Sequence, residues 1–265
     1  MQLTKHHGLG NDFLVLIDLD AAESVTPALA RAVCARHTGI GADGLLHVTA
    51  ARDPDSHLAM RLYNADGGRA EMSGNGVSCL AQAAVLAGVA AGPAVVVNTD
   101  AGVRTVVLEP TGDPRTHRAT VDMGAAKVGD DETEWLDDHV VRAARVDIGN
   151  PHLVLHAPRL DAEIDLSARG FSINELVPEG INVELVAPGS AERELTMRVY
   201  ERGVGLTEGC GTGACAVAAA AQRWGLSGGR VTVRQPGGPA EIVIGDTIEM
   251  TVPVVHIATI EYEAP

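Results

Sequence analysis

The chain has 265 residues, of which 46% are hydrophobic and 21% are charged, so it can bury the core of one large domain or of two domains of about 130 residues each. Its formal net charge of −15 argues against nucleic acid or an anionic membrane as the main partner, because both repel an acidic surface. No segment supplies the roughly 18 consecutive apolar residues of a membrane span, and the N-terminus lacks a signal-peptide pattern, so we expect a cytoplasmic protein.

The cysteine content predicts reduced thiols. Four cysteines are too few for a disulfide framework in a chain of this size, and they are not spaced as CxxC zinc pairs. They are Cys34, Cys79, Cys210 and Cys215.

Alternating apolar runs predict strands along the whole chain. LAMRLYN, AVVVNT and RTVVLE come first, and TMRVYE, RVTVRQ and EIVI follow. One clear helix is predicted after each of two glycine-rich turns, from apolar residues at i, i+3 and i+4 spacing: Val77, Leu80, Ala81, Ala84 and Val85, then Ala214, Val217, Ala218 and Ala221. The predominance of β structure predicts an α+β fold of largely antiparallel strands around one helix, and not a Rossmann sheet.

The chain contains an internal repeat. Residues 60–76 align without a gap to residues 197–213, and seven of the seventeen positions are identical. The match continues outside this segment, where VVVNTDAGVRTVVL falls on VTVRQPGGPAEIVI and GNDFLVL falls on GNPHLVL. A chance match would not extend in this way, so two homologous halves are expected.

The repeat predicts two pseudo-symmetric domains. Their junction is expected in the turn-rich segment EPTGDPRTH, so that residues 1–118 form the half with Ser73 and residues 119–255 the half with Cys210. The C-terminal tail, about residues 256–265, is expected to return to the first half.

Ser73 and Cys210 occupy matching places, each just before a predicted helix. Unpaired backbone N–H groups and the positive end of the helix dipole meet there, which favours anions and predicts a lowered pKa for a thiol. Taken alone, SGNG and CGTG are typical of plain helix-entry turns. A phosphate-binding P-loop is disfavoured because no GK[ST] lysine follows.

Six segments in a fixed order give the sequence its resemblance to the diaminopimelate epimerase family. They are HGLGNDF, TGIGADG, NADG, GNPH, GINVE and the run RVYERGVG that leads into CGTGAC. The resemblance implies two domains related by pseudo-symmetry, each with a sheet wrapped around a central helix, and an active site in the cleft between them. It also implies epimerisation of LL-2,6-diaminopimelate to the meso isomer for lysine and peptidoglycan synthesis, with no cofactor and no metal. Members of the family often form homodimers.

The family's mechanism implies roles for four residues. Inversion of a carbon without a cofactor needs a base on one face and an acid on the other, and the family uses one cysteine from each half. Cys210 matches the second cysteine, and Ser73 stands where the first is expected. His152 and Glu201 match residues that tune the catalytic thiols, and Glu201 also matches a contact to the substrate ammonium group.

Other matched positions imply contacts to the substrate. The reacting carboxylate would be held by backbone N–H groups of Gly74, Asn75, Gly211 and Thr212. The distal amino-acid end would be bound by Asn64, Asn150, Asn182 and Arg202, with Asn11 as a further contact. In Arg202 the planar guanidinium suits a two-pronged carboxylate contact that lysine cannot make.

Three positions depart from the family pattern. Gly44 stands where some members carry Gln, and Leu206 stands where the family usually has Glu. Ser73 is the serious departure, because a hydroxyl does not ionise near neutral pH and is a poor base. Three interpretations stay open for Ser73: a natural variant in which Cys210 does most of the chemistry, an engineered Cys→Ser change, or a shifted reaction.

A shifted reaction, to a dehydratase or an amino-acid racemase, has a precedent in the wider superfamily, where proline racemases use two cysteines and hydroxyproline dehydratases use a Ser/Cys pair. The retained Asn64, Asn182 and Arg202 instead suit a substrate with a second amino-acid end, which favours the epimerase. A substrate-binding pseudoenzyme is the non-enzymatic alternative, and a PhzF-like isomerase is disfavoured because Cys210 is kept. No role is assigned to His6, His7, His37 or Cys34, and Cys79 and Cys215 are expected to pack within helices.

Overall fold

The computed structural model describes residues 1–51, 53–160 and 163–263. It divides into two compact units, one formed by Met1–Asp122 with the chain from Val252 onward, the other by Met123–Thr251. The junction of the homologous halves after residue 118 stays a prediction. Residues 264 and 265 of the predicted tail lie outside the described residues.

The first unit is a sheet that closes on itself. β1 pairs antiparallel with β2 and with the end of β17, β2 pairs parallel with β3, β3 antiparallel with β4, and β4 parallel with β6. The hairpins β6–β7 and β7–β8 follow, and β8 pairs with β17. The elements are β1 (Gln2–Gly8), β2 (Asn11–Ile17), α1 (Pro27–Cys34), β3 (Gly44–Ala50), β4 (Leu58–Asn64), β5 (Arg69–Ala70), α2 (Gly74–Leu86), β6 (Ala94–Thr99), β7 (Gly102–Pro110), β8 (Thr116–Asp122) and β17 (Ile248–Glu261) from Val252 onward.

The second unit repeats this order of pairings. β10 pairs antiparallel with β9 and β11, β11 parallel with β12, β12 antiparallel with β13, and β13 parallel with β15. The sheet ends in two antiparallel pairs: β15 with β16, and β16 with the start of β17. The elements are β9 (Lys127–Asp131), a 3₁₀ turn (Thr133–Trp135), β10 (Arg142–Asp147), β11 (Pro151–His156), α3 (Leu166–Leu176), β12 (Asn182–Pro188), β13 (Glu194–Glu201), β14 (Gly205–Thr207), α4 (Gly211–Arg223), β15 (Arg230–Gln235) and β16 (Gly238–Ile244).

The helices that follow the two glycine-rich turns are the central elements of the units. Every residue of α2 from Gly74 to Ala84 is buried, and every residue of α4 from Gly211 to Ala221 is buried. A helix that is buried on all sides packs closely against its neighbours, and most residues of both helices are the small Gly, Ala, Ser and Cys. The predicted strands and both predicted helices are therefore confirmed, as is the α+β class. Within the described ranges, none of the helices combines the length and apolar character that a membrane crossing would require.

Each unit also has a second helix, which apolar spacing did not predict. α1 connects the parallel strands β2 and β3, and α3 connects the parallel strands β11 and β12, as a parallel pair requires a crossover. α1 has only eight residues, although Thr26 caps it and Pro27 begins it. α3 buries only Leu166, Gly170 and Ile173, so its apolar spacing is weak.

A buried histidine lies beside the central helix of the first unit. His6 on β1 is 0% exposed, and its Nδ1 lies 2.8 Å from Oε1 of Gln82 on α2. The ring packs 5.0 Å from the ring of His256, centroid to centroid. Burial, followed by the charges of His256 and His7, lowers the pKa of His6 from 6.5 to about 4, although the bond to Gln82 opposes this.

The lowered pKa predicts that acid destabilises the protein through His6. The unfolded chain takes up this proton near pH 6.5 and the folded chain only near pH 4, so the contribution is complete above pH 6.5 and is lost as the pH falls toward 4. Between pH 7.5 and pH 5.0 the free energy of unfolding should fall by about 2 kcal/mol through this group. Urea unfolding at both pH values measures it.

His6→Gln should remove that part of the pH dependence, and the exposed His37→Gln should leave it in place. Equal slopes in the wild type and in His6→Gln would contradict the assignment.

Candidate active site

Ser73 forms the N-terminal cap of α2. Its Oγ accepts a hydrogen bond from the N–H of Gly76 at 3.0 Å, and its backbone is extended, with φ −141° and ψ 125°. This is the usual geometry of a serine cap. Because the helix behind it is buried, the cap places a half-buried hydroxyl at the helix N-terminus, next to the free N–H groups of the first turn.

Of the other predicted residues of the first half, Gly74 and Asn75 begin α2, and Asn11 and Asn64 lie at strand ends. Asn75 is 2% exposed and packs against Gly8, which pairs with Asn11 in the β1–β2 ladder. Oδ1 of Asn75 has no hydrogen-bond partner among the described residues. Asn64 is exposed at the end of β4. We call Ser73, Gly74, Asn75, Asn11 and Asn64 the first half-site.

An ion-pair network, missed at the sequence level, holds Asn11. Nδ2 of Asn11 donates to Asp43 at 2.8 Å, and Arg36 bridges Asp43 and Asp12 at 2.7 and 2.8 Å. Lys5 lies 2.9 Å from Asp12. Burial opposes ionisation of Asp12, but the hydrogen bonds from Arg36 and Lys5 prevail and lower its pKa. Asp43 thus fixes the side-chain amide of Asn11 through its nitrogen, and the bond to Asp43 does not involve the amide oxygen.

Gly44, one of the departures from the family pattern, is set by packing. A Cβ at this position would lie 2.8 Å from the carbonyl oxygen of Tyr63, so the backbone as it stands admits only glycine. Leu206, another departure, lies exposed on β14 opposite Tyr200.

Cys210 caps α4 as Ser73 caps α2. Its Sγ accepts from the N–H of Gly213 at 3.3 Å, with φ −127° and ψ 117°, and lies 3.4 Å from Oγ1 of Thr212. The backbone N–H of Cys210 donates to Oε1 of Gln235 at 2.7 Å. The two predicted catalytic positions thus have the same local geometry in the two units.

The sequence-level expectation of a lowered pKa for Cys210 was wrong. Burial raises the pKa of this thiol well above its ordinary value, and the negative charges of Glu201 and Glu184 raise it further. The contacts from Thr212 and the helix N–H of Gly213 act in the opposite direction and are outweighed. In this state Cys210 is a neutral thiol near pH 7. Burial likewise raises the pKa of Cys79 and Cys215, which are 0% exposed.

A buried pair of ionisable side chains, His152 and Glu184, lies beneath the first turn of α4. Nδ1 of His152 is 2.7 Å from Oε1 of Glu184, and both side chains are 0% exposed. Nε2 of His152 is 3.0 Å from Oδ1 of Asn150, and Nδ2 of Asn150 donates to Oγ1 of Thr212 at 3.4 Å. The predicted residues His152, Asn150, Thr212 and Cys210 therefore form one hydrogen-bonded chain.

Asn182 and Arg202 contact each other in the structure. Oδ1 of Asn182 accepts from the backbone N–H of Arg202 at 2.9 Å, and its Nδ2 donates to the carbonyl of Pro151 at 3.2 Å. The exposed Arg202 side chain lies over Gly180, where a Cβ would come within 2.5 Å of its Cδ. Glu201 accepts a hydrogen bond from Thr207. We call the predicted residues of the second unit the second half-site: Cys210, Gly211, Thr212, Asn150, His152, Asn182, Glu201 and Arg202.

Glu184 and Asp43 are site residues that the sequence did not single out. Both lie inside matched motifs, GINVE and TGIGADG, so a signal was present. Each is far in sequence from the residue that it contacts: Glu184 is 32 residues from His152, and Asp43 is 32 residues from Asn11. Only the parallel strand pairs bring them together.

Solved structures share the fold of this chain. The crystal structure of the Bacillus anthracis phenazine biosynthesis protein of the PhzF family has a TM-score of 0.75 at 12% identity and covers 100% of this chain and 99% of that one. A probable proline racemase from Agrobacterium radiobacter has a TM-score of 0.75 at 16% identity, covering 100% of this chain and 93% of that one. At such low identity these likenesses show the fold alone.

Sequence comparison identifies the family. The family model described as diaminopimelate epimerase matches residues 3–129 and 144–256. A protein named diaminopimelate epimerase from Thermobifida fusca is 41% identical over 92% of this chain and 91% of its own length. One of the same name from Sphingopyxis alaskensis is 40% identical over 89% and 87%. The chain belongs to the diaminopimelate epimerase family.

The closeness of α4 to Glu184 predicts that Gly213 cannot be replaced. A Cβ on Gly213 would lie 2.7 Å from Oε1 of Glu184, which cannot move without losing its bond to His152. Gly213→Ala should lower the free energy of unfolding by about 1–3 kcal/mol. Chemical denaturation measures this.

Gly228→Ala in the same unit is the control, because a Cβ there meets no atom within 4 Å. If both variants unfold at the wild-type denaturant concentration, the close packing under α4 is refuted.

Proposed function

We propose that the protein converts LL-2,6-diaminopimelate to meso-diaminopimelate by cofactor-independent proton transfer at one α-carbon, with Cys210 and Ser73 as the two transferring groups. The observation that carries the proposal is their matched geometry. Each side chain caps a buried helix by accepting from the N–H three residues on, at the equivalent place of two units with the same order of strand pairings. A reaction that needs one group on each face of a carbon suits such a duplicated arrangement.

Cys210 is proposed as the stronger of the two groups. As a thiol of raised pKa it can deliver a proton to the planar intermediate, and as a thiolate it would be a correspondingly strong base for the α-hydrogen. The Ser73 hydroxyl can donate or relay a proton but is a poor base. We therefore expect epimerisation that is limited by the step at Ser73.

The helix N-termini are proposed to hold the reacting carboxylate. The N–H groups of Gly74, Asn75, Gly211 and Thr212 belong to the first turns of α2 and α4, where backbone donors lack intrahelical acceptors. The helix dipoles add favourable potential for the carboxylate and for charge that develops on it as the proton leaves.

The exposed guanidinium of Arg202 is proposed to bind the distal carboxylate. Nη1 donates to the carbonyl of Glu179 at 3.1 Å, and the Asn182 amide holds the Arg202 backbone. Asn182 would then act partly through Arg202, whereas Asn11, Asn64 and Asn150 offer amide groups to the substrate. Glu201, beside Cys210, is proposed to meet the ammonium group and to keep the thiol protonated.

We also propose that the protein works as a homodimer in the cytoplasm, as the family resemblance implies. Light scattering coupled to size-exclusion chromatography would give the mass of the particle, to be compared with 27.5 kDa for one chain.

The proposal predicts exchange of the α-hydrogen with solvent. Incubation with LL- and meso-diaminopimelate separately in D₂O, followed by proton NMR, should show exchange with inversion for both. Cys210→Ala should lower the exchange rate by about 10²–10⁴-fold, the usual contribution of an acid/base group. Cys34→Ala, a buried cysteine outside both half-sites, is the control.

Exchange of one isomer only would indicate that just one face is served. Binding without exchange of either would support the pseudoenzyme, and loss of water from a β-hydroxy amino acid would support the dehydratase.

Ser73→Cys provides a second prediction. A thiol at the same cap can ionise far more readily than a hydroxyl, so kcat for epimerisation should rise about tenfold or more. Stopped assays with chiral separation of the isomers measure it. Ser73→Ala, which removes the proton-transferring group and costs about 1 kcal/mol in helix capping, is the control. A loss of activity in Ser73→Cys would show that serine has a role of its own.

A further inference from the structure

Glu184 is a buried acidic residue to which the proposed reaction assigns no role. It lies on β12, is 0% exposed, and has one oxygen, Oε2, without a hydrogen-bond partner among the described residues. Taking a carboxylate out of water costs several kcal/mol unless it is well paired. Its contact within hydrogen-bond distance is His152 Nδ1, at 2.7 Å.

The first unit shows that the fold does not need a charge at this place. In the parallel ladder β11–β12, Glu184 pairs with Val154, and in the equivalent ladder β2–β3 the matching pair is Val15 with Leu46. Leu46 lies under Gly76 of α2 as Glu184 lies under Gly213 of α4. Phe13 likewise stands at the position that matches His152. Two apolar residues stand at these positions in one unit, and a histidine and a glutamate stand there in the other.

His152 and Glu184 lie at one end of the series of hydrogen bonds that reaches Cys210. From His152 the chain passes to Asn150 at 3.0 Å, to Thr212 at 3.4 Å, and to Sγ of Cys210 at 3.4 Å. Carboxylate and amide oxygens can only accept, so Nδ1 of His152 donates to Glu184 and Nε2 donates to Oδ1 of Asn150, and the two bonds hold the ring. The held ring in turn orients the amide of Asn150 toward Thr212.

We propose that Glu184 is a positioning residue for the epimerisation, acting through His152, Asn150 and Thr212 to hold the Cys210 side chain; the proposal rests on the proposed function of Cys210. The polar pair of the second unit thus serves the chemistry at one half-site. Its negative charge also contributes to the raised pKa of the thiol.

The test uses Glu184→Leu, which copies the residue of the first unit. Leu46 shows that leucine fits at this place, so the variant should fold, although the loss of a partner for Nδ1 of His152 should lower the denaturant concentration at which it unfolds. Its kcat should nevertheless fall tenfold or more, with KM changed less than twofold. Glu194→Gln is the control. Glu194 is a buried carboxylate that pairs with Arg234 and takes no part in the hydrogen bonds that lead to Cys210. Its loss should lower stability without lowering kcat of the folded enzyme.

A double-mutant cycle separates positioning from a general structural effect. In a Thr212→Val background the last link is already broken, so adding Glu184→Leu should lower kcat less than twofold further. Additive losses, or an unchanged kcat in Glu184→Leu, would overturn the proposal.

A measurement without substrate keeps this outcome apart from a failure of the proposed function. The alkylation rate of Cys210 by iodoacetamide, followed by peptide mass spectrometry, should change in Glu184→Leu and in Thr212→Val, and no further in the double variant. If the wild type turns over neither isomer, the proposed function fails and the alkylation rates still decide the role of Glu184. Equal rates in all four proteins would show that Glu184 does not position the thiol.

Discussion

The N-terminus of a helix that is buried on every side is the constraint on which this structure depends. Its first N–H groups have no acceptor within the helix, and the side chain before the helix satisfies one of them. Ser73 and Cys210 do this in their respective units, each for a glycine N–H. The groups proposed for proton transfer are thus also the N-terminal caps of the helices. The proposed chemistry therefore depends on the helix at the centre of each unit.

The two units keep this constraint but surround it with different chemistry. Leu46 lies under the turn capped by Ser73, whereas Glu184 lies under the turn capped by Cys210. Helix dipole, capping bond and glycine packing are shared, so they cannot account for a difference in reactivity between the caps. That difference comes from the chemical nature of the two caps and from the carboxylates near Cys210.

The sequence predicted the elements whose signals are local and missed what depends on distant strands. The repeat, the strands and the two central helices could be recognised because alternation, apolar spacing and glycine-rich turns lie within short segments. α1 and α3 were missed because one is short and the other buries few residues. The raised pKa of Cys210 could not be foreseen, since Glu184 and Glu201 approach it only through strand pairing, and burial exceeds the effect of the helix end.

A raised thiol pKa does not by itself argue against Cys210 as a base. Forming the thiolate becomes more costly in proportion to the rise, but the thiolate that forms is a stronger base, and the hydrogen on an amino-acid α-carbon is a weak acid. Burial that excludes water also strengthens the interaction of charges inside the site. A substrate ammonium group near Glu201 would offset one of the two charges that keep the thiol protonated. Substrate binding itself would then lower the free energy needed to ionise Cys210, so that the thiolate base forms when the substrate is bound.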